Sequence, residues 1–435
     1  MPAVLLGYRF LPDRAKRPFL LAASLVFYGW GAPVWLILLL YVMALDYAGA
    51  LLVTRIQRGR RLLFAALIVL NLVPLIYFKY AGFLRDTLET LTGIRIRMDS
   101  PLLPAGISFF TFQGISYLAD VFRGKAKVQR NFVLFGTYLS MFPQLVAGPI
   151  VRYTDLEAQL EKPAEVSTED MRAGLERFAV GLGKKVLLAD AMGRFWAKIS
   201  ADLPGAGALG AWMGLAAFSF QIFFDFSGYS DMALGLGKAM GFTFPENFDR
   251  PYRARSLTEF WRRWHMSLTT WFREYVYIPL GGNRKGEWRR NLNILIVWAL
   301  TGLWHGAGWN FVLWGVWFGV LLIIEKKWVI GRKGTERLPG WLRQALTYLP
   351  VLIGWGMFTG KWQVFPAMAG TYGWSTPAAV LECLSFLPMF LVCAGISFLP
   401  KPKVECRRWA APVLMVLCLA ALAAQGYAPF VYFQF

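Results

Sequence analysis

The feature that most constrains the fold of this sequence is a succession of apolar runs. Several of them approach or exceed the roughly 20 residues that cross a bilayer as a helix. Hydrophobic residues make up 57% of the chain and charged residues only 17%. Because open strands leave their backbone groups unsatisfied in lipid, the runs are predicted to be helical. We therefore predict an all-α, polytopic integral membrane protein that forms a single domain over residues 1–435.

The predicted membrane segments are spread along the whole chain, and no long polar linker divides them. They cover residues 19–30, 32–54, 62–83, 103–122, 132–151, 173–190, 210–237, 291–305, 309–324, 343–359, 380–399 and 410–427.

The formal net charge of +20 does not indicate nucleic-acid binding, because the basic residues concentrate in short loops between apolar runs. Loops of this kind orient helices by the positive-inside rule, which places them in the cytoplasm. The acidic stretch 152–172 then lies outside, and the last segment delivers the C-terminus to the extracytoplasmic side. The basic loops are 55–61, 123–130, 284–290, 326–343 and 401–408.

Two stretches do not read as plain membrane spans. Residues 249–290 are too charged to cross lipid but are rich in Trp, Phe and Tyr, which is typical of interfacial or re-entrant helices. Segment 173–190 is ambiguous in the same way, because Lys184 and Lys185 lie in its middle. The four cysteines lack metal-ligand spacing and are predicted to be buried thiols, so we expect no metal site.

One of only two histidines, His305, lies in the sequence GLWHGAGWN between two hydrophobic segments. It could simply hydrogen-bond to neighbouring helices, as polar side chains do in helical bundles. It could instead be a general base in a cavity, because ionisable residues within membrane segments are costly and usually mark a site. Gly302, Gly306 and Gly308 would let another segment or a ligand approach the backbone closely.

The second histidine, His265, follows two arginines in WRRWH. Arg262 and Arg263 could lie at a membrane interface with the histidine merely adjacent. A turn signal at Pro279–Gly282 would instead make the segment re-entrant and carry His265 into the interior, where it could meet His305.

A third group of polar residues interrupts an apolar run at FDFSGYSD, residues 224–231. Carboxylates and hydroxyls there are expected to avoid lipid, in either a structural or a substrate-lining role. The sequence has no GxSxG, HExxH or P-loop motif. An acyl transfer without such a motif would need histidine as the base. The candidate lining residues are Asp225, Ser227, Tyr229, Asp231, Trp304 and Asn310.

Long motifs in this sequence resemble the membrane-bound O-acyltransferases, and within them the bacterial branch that acetylates alginate, peptidoglycan and cellulose. The stretches that carry the resemblance are FDFSGYSDMALGLG (224–237), PENFDRPYRARSLTEFWRRWHMSLTTWFREYVYIPLGGNR (245–284), TGLWHGAGWNFVLWG (301–315), LPAGISFFTFQGISYLADVFRG (103–124) and FPQLVAGPIVR (142–152).

The resemblance implies about eleven membrane helices with re-entrant elements around a central tunnel, and a catalytic core at about residues 100–325. An acyl thioester would enter that tunnel from the cytoplasm. The family's catalytic histidine would be His305, and its second signature position would be His265. The sequence departs from its relatives in a shorter start and in residues 325–435, which match only loosely.

The chain ends in an aromatic tail, PFVYFQF, at residues 429–435. Such a tail could be an interfacial anchor. Bacterial relatives end similarly, and a small partner in the related D-alanylation system has a comparable tyrosine-bearing tail. The resemblance therefore suggests that Tyr432 accepts the acyl group, since a phenol, with a pKa near 10, is more readily deprotonated than an aliphatic alcohol.

The sequence and its resemblance together predict an acetyltransferase of the cell membrane. Acetyl-CoA would be the donor substrate, with no permanently bound cofactor, and Arg284 and Lys285 could hold its phosphates. An outer-face acetyltransferase partner would pass the acetyl group to a polysaccharide. The alternatives are D-alanyl transfer from a carrier protein to an envelope polymer, and a non-catalytic transporter or scaffold.

Overall fold

The computed structural model describes residues 2–31, 33–162, 165–331, 337–399, 407–425 and 428–430. These residues form helices joined by turns and loops, and no strand occurs among them, which confirms the all-α prediction. Among the described residues, five helical stretches are long and apolar enough to cross a membrane. A total of about eleven stays a prediction. The five are Pro33–Arg55, Arg60–Thr92, Leu203–Ala239, Trp309–Trp328 and Pro377–Phe398.

The α-helices follow one another closely along the chain. They are α1 (Pro2–Phe10), α2 (Asp13–Gly31), α3 (Leu36–Arg55), α4 (Arg60–Thr92), α5 (Ile107–Phe122), α6 (Phe132–Ser140), α7 (Tyr153–Glu161), α8 (Thr168–Gly183), α9 (Asp190–Ala201), α10 (Leu203–Ala239), α11 (Leu257–Arg263), α12 (Met266–Phe272), α13 (Gly286–His305), α14 (Trp309–Trp328), α15 (Gly340–Phe358), α16 (Val364–Met368), α17 (Pro377–Phe398) and α18 (Arg407–Gln425).

Two compact units share these helices. The first comprises Met1–Phe178 and Asp231–Glu246, and the second comprises Ala179–Ser230 and Asn247–Phe435. The prediction of a single domain is not decided by this division.

The first unit is built around α5, which is buried on all sides from Ile107 to Val121. It packs against α3 and α4. Three buried tyrosines continue this core: the Tyr153 ring lies 4.9 Å from that of Tyr117 and 5.3 Å from that of Tyr138. The unit is therefore a conventional helical core with aromatic residues at its centre.

The second unit has a core of large aromatic side chains and contains both histidines. Trp264, Trp314 and Trp355 are all fully buried in it. Helices α13 and α14 form its tightest pair, because a Cβ on Gly302 would lie 2.2 Å from the Phe311 carbonyl oxygen. Only glycine permits two backbones to approach so closely.

Two predicted segments differ in detail from the structure, and a third stretch contains short helices as predicted. Within 132–151 the helix ends at Ser140, since Pro143 and the glycine and proline that follow disfavour helix. Residues 249–290 form two seven-residue helices, a π-helical turn and loops rather than a span, as predicted. Segment 173–190 lies in a longer helical run that continues to Ala201 and contains a π-helix at Lys184–Ala189.

Candidate active site

His265 lies at the break between α11 and α12. Its backbone has φ +43° and ψ +56°, and among the described residues only Arg250 is another non-glycine with positive φ. This left-handed conformation is uncommon and persists where surrounding contacts enforce it. The break turns the imidazole inward, so that the side chain is buried.

Asn247 supplies the contacts that enforce this conformation. Its backbone carbonyl accepts a hydrogen bond from the Met266 amide at 3.0 Å. Its side-chain Oδ1 lies 3.1 Å from His265 Nδ1 and accepts from the Ser267 amide at 3.3 Å and the Ser267 hydroxyl at 2.9 Å. Its Nδ2 donates to Ser230 Oγ at 3.1 Å. Asn247 therefore connects α10 to the start of α12.

This arrangement determines the tautomer of His265. A backbone amide can only donate, so the atom of Asn247 that faces the Ser267 amide must be the oxygen. That oxygen accepts, so His265 Nδ1 carries the proton. Nε2 is then the nitrogen with the lone pair, which is the atom that can accept a proton.

Burial keeps His265 neutral. The residue lies outside the candidate membrane-spanning helices, and burial lowers its pKa to about 3, because an apolar environment disfavours the charged imidazolium. The rings of Phe226 and Phe248 lie 4.6 and 6.5 Å from the imidazole.

His305 is the last residue of α13 and is also buried. The helix ends there because Gly306 adopts extended backbone. The rings of Trp314 and Phe358 lie 5.0 and 5.4 Å from the imidazole. A Cβ on Gly306 would lie 2.1 Å from the Phe311 ring, so glycine is required for α14 to cover the end of α13.

Trp304 connects the two histidines. Its ring lies 5.5 Å from that of His265 and 5.0 Å from that of His305. Two helix breaks, far apart in sequence, therefore bring both imidazoles against one indole. We call His265, Trp304, His305 and Asn247 the histidine site.

The other predicted lining residues make contacts of different kinds. Asn310 donates to the carbonyl oxygen of Phe358 at 3.1 Å and so supports a ring that contacts His305. Ser227 is buried, and its hydroxyl has no hydrogen-bond partner among the described residues. Asp231 belongs to the first unit, where Arg177 pairs with it at 2.9 Å and with Glu246 at 2.5 Å.

Asp225 and Tyr229 lie in a second cluster, which sequence reasoning did not identify. The ammonium group of Lys185 contacts Asp225 at 2.9 Å and Asp190 at 2.7 Å. The Tyr229 ring packs at 5.2 Å against that of Phe430. A signal was available, since a lysine in the middle of an apolar segment requires buried partners.

The structure describes the predicted ligands of CoA but not the predicted acyl acceptor. Arg284 and Lys285 are exposed in the loop before α13. Tyr432 lies outside the described residues, as does the rest of 431–435. Asn247 was not predicted either, because an asparagine in a loop has many structural explanations.

The described helices and the buried imidazoles define a helical protein with membrane-length segments and a histidine-centred site. The family model for membrane-bound O-acyltransferases matches residues 63–369. The chain belongs to this family, and it is therefore a multi-pass membrane protein and an acyltransferase.

Curated relatives agree with this assignment. The probable alginate O-acetylase of Azotobacter vinelandii is 35% identical over 492 residues, covering 100% of this chain and 98% of that protein. The peptidoglycan O-acetyltransferase of Helicobacter pylori is 33% identical, covering 89% of this chain and 81% of its own. The teichoic acid D-alanyltransferase of Bacillus subtilis is 28% identical, covering 59% and 68%.

Proposed function

We propose that this enzyme transfers acetyl groups from cytoplasmic acetyl-CoA across the cell membrane for the O-acetylation of an extracytoplasmic polysaccharide. The observation that carries the proposal is the pair of buried imidazoles that both lie against Trp304. The acetyl assignment is supported by the relatives: those named as O-acetylases are 33–41% identical, whereas the D-alanyltransferases are 28% and 29% identical.

In the proposed reaction a histidine base removes the proton of an acceptor hydroxyl as its oxygen attacks the thioester carbonyl. The C–O bond forms, the C–S bond breaks, and the proton leaves with the thiolate as CoA thiol. His305 is the base. His265 has its lone pair on Nε2, so in its neutral form it accepts a hydrogen bond and does not donate one from that nitrogen. The aromatic rings around both imidazoles exclude water, which would otherwise hydrolyse the thioester.

The proposed acceptor is Tyr432 in the C-terminal tail. An aryl ester formed on this phenol is a good acyl donor, so a second enzyme at the outer face can move the acetyl group onto the polysaccharide. This scheme requires the tail to lie on the extracytoplasmic side of the membrane, and the basic loop with Arg284 and Lys285 to meet the CoA phosphates in the cytoplasm.

An assay of purified protein in lipid nanodiscs with acetyl-labelled acetyl-CoA tests the proposal. Wild-type protein should release CoA and carry label on a peptide that contains Tyr432, found by mass spectrometry. His305→Ala should lower the rate by roughly 10²- to 10⁴-fold, the usual contribution of a general base. Tyr432→Phe should abolish the label on the tail.

A control variant and a second acyl donor test whether the activity is specific to the histidine site and to acetyl-CoA. Lys198→Met, which alters an exposed lysine that pairs with Glu382, should retain the wild-type activity. A D-alanyl carrier-protein thioester should not replace acetyl-CoA. Release of CoA by His305→Ala at the wild-type rate would refute the role of the base, and unchanged extracellular acetylation with Tyr432→Phe would refute the role of the tail.

A further inference from the structure

The most unusual electrostatic feature outside the histidine site is the buried ion cluster at Lys185. The lysine side chain is 3% exposed, and those of Asp190 and Asp225 are 14% and 2% exposed. Burying three charges costs free energy unless every charged group is satisfied. A buried ion cluster of this kind is therefore expected to have a function.

The contacts of the lysine indicate what that function is. An ammonium group has three donors. One hydrogen bond goes to the carboxylate of Asp190 at 2.7 Å and another to the backbone carbonyl of Pro429 at 3.2 Å, while the carboxylate of Asp225 forms an ion pair with the same nitrogen at 2.9 Å. The C-terminal tail therefore supplies the third partner of a buried cation.

The next residue of the tail is held as well. The Lys185 ammonium lies 4.8 Å from the centre of the Phe430 ring, a cation–π contact, and the Tyr229 ring meets the same ring edge to face. Phe430 is 9% exposed. The cluster thus contacts two consecutive residues of the tail through both backbone and side chain.

The backbone around Lys185 is shaped to build this cluster. Lys185 lies in the π-helix Lys184–Ala189, and such bulges often occur at functional sites. A Cβ on Gly228 would lie 2.7 Å from the carbonyl oxygen of Gly181, so α10 approaches this run more closely than a residue with a side chain would allow. That approach brings Asp225, one turn earlier on α10, to the lysine.

The same two turns of α10 also contact the histidine site. Asp225 and Tyr229, four residues apart, share one face of the helix. Phe226 and Ser230 occupy the adjacent face, where Phe226 contacts His265 and Ser230 contacts Asn247. The cluster and the histidine site therefore lie on neighbouring faces of one short stretch of helix.

We propose that Lys185, Asp190 and Asp225 form an anchor that holds the C-terminal tail at Pro429 and Phe430. The proposal rests on the function proposed above and adds the residues that position its acceptor. Tyr432 follows Phe430 by two residues, which span at most about 7 Å of extended chain. An anchored tail makes acyl transfer to the phenol an intramolecular step at high effective concentration. Lys185 is a positioning residue in this scheme.

Hydrogen–deuterium exchange of the full-length protein in nanodiscs, read by mass spectrometry, tests the anchor directly. In Lys185→Met the C-terminal peptide should exchange at least tenfold faster than in wild type, while peptides from α13 stay unchanged. Lys198→Met is the matched control, because that lysine is 66% exposed on the same helical run and pairs with Glu382. Its C-terminal peptide should exchange as in wild type.

A second variant tests the anchor without changing the buried charges. Phe430→Ala leaves the three charged residues in place and should also increase exchange of the tail at least tenfold. If Lys185→Met does not fold, this variant alone tests the anchor. If Lys185→Met folds and its tail exchanges as in wild type, the anchor is refuted. If Lys185→Met does not fold, unchanged exchange of the tail in Phe430→Ala refutes it.

Label on the tail, measured in the same samples with acetyl-labelled acetyl-CoA, separates the two proposals. The anchor predicts at least a tenfold lower rate of labelling in both variants. Faster exchange in the variants with no label on the wild-type tail would refute Tyr432 as acceptor and leave the anchor standing. Label on the wild-type tail with unchanged exchange in the variants would refute the anchor alone.

Discussion

At the residue scale, Asn247 determines the tautomer of His265, and burial determines its charge. Asn247→Asp would place a carboxylate about 3.1 Å from Nδ1. An opposite charge at this distance raises the pKa of a histidine by about 1 to 3. In the wild type, burial lowers that pKa to about 3, so His265 stays neutral across the usual assay range.

The variant should therefore show a new pH dependence. A histidine that must accept a hydrogen bond or proton works in its neutral form, so activity falls as the pH drops through the raised pKa. We expect acetyl transfer by Asn247→Asp to decline below about pH 6, where the wild type shows no decline from this group. Ser230→Ala, which removes the acceptor of the Asn247 Nδ2 hydrogen bond and leaves Oδ1 beside His265, is the control and should keep the wild-type profile. Superimposable profiles for Asn247→Asp and wild type would contradict the role assigned to Asn247.

The sequence identifies the two histidines but not the residues that orient them. His265 and His305 stand out because ionisable groups are rare in apolar surroundings. The contact of both with Trp304, by contrast, depends on two helix breaks separated by about forty residues of intervening chain. Local patterns indicate that a break occurs; they do not give the direction in which the side chain at the break points.

At the element scale, a carboxylate from α14 holds the helix that leads to His265. Glu325 is 6% exposed and accepts hydrogen bonds from the amides of Leu257 and Thr258 at 2.5 and 2.8 Å and from the Thr258 hydroxyl at 2.6 Å. The first amides of a helix have no partner within it. Glu325 thus caps α11 from a distant part of the chain.

Replacement of this cap should destabilise the protein. Glu325→Gln loses the charge and one acceptor, so we expect a loss of about 1–3 kcal/mol of stability, the range for an unsatisfied buried donor. The measurement is the thermal midpoint in detergent or nanodiscs, which should fall by several degrees. Glu287→Gln, whose side chain is 59% exposed beside Arg290, should leave the midpoint unchanged. An equal midpoint for both variants would show that the cap contributes little.

Hydrophobic periodicity predicts the long helices well and the short ones poorly. The run 309–324 lies within α14, and the run 380–399 matches α17 to within one residue at its end, because length and composition alone require a helix there. The end of α6 at Ser140 follows from Pro143, a signal that an unbroken apolar run conceals. The π-helix at Lys184–Ala189 has no local signature, because its geometry depends on the partners of Lys185.

At the scale of the whole molecule, the C-terminal tail contacts Lys185 and also carries the proposed acyl acceptor, Tyr432. Composition gives the membrane class, and the long motifs give the family. Neither indicates that Pro429 and Phe430 complete the coordination of a lysine more than two hundred residues earlier in the chain. Contacts of this range depend on the folded arrangement of α10 and the π-helix.

Two truncations that differ by three residues distinguish the anchoring of the C-terminal tail from its role as the acyl acceptor. Removal of residues 431–435 deletes Tyr432 but leaves the contacts of Pro429 and Phe430, so the thermal midpoint should match the wild type while acetyl transfer to the tail is lost. Removal of 428–435 also exposes the space filled by Phe430 and takes the third partner from Lys185. Since burial of one phenylalanine contributes about 1.5–3 kcal/mol, the longer truncation should melt several degrees lower. Equal thermal midpoints for the two truncations would mean that the tail contributes no packing energy. Acetyl transfer retained after removal of residues 431–435 would show that Tyr432 is not the acceptor.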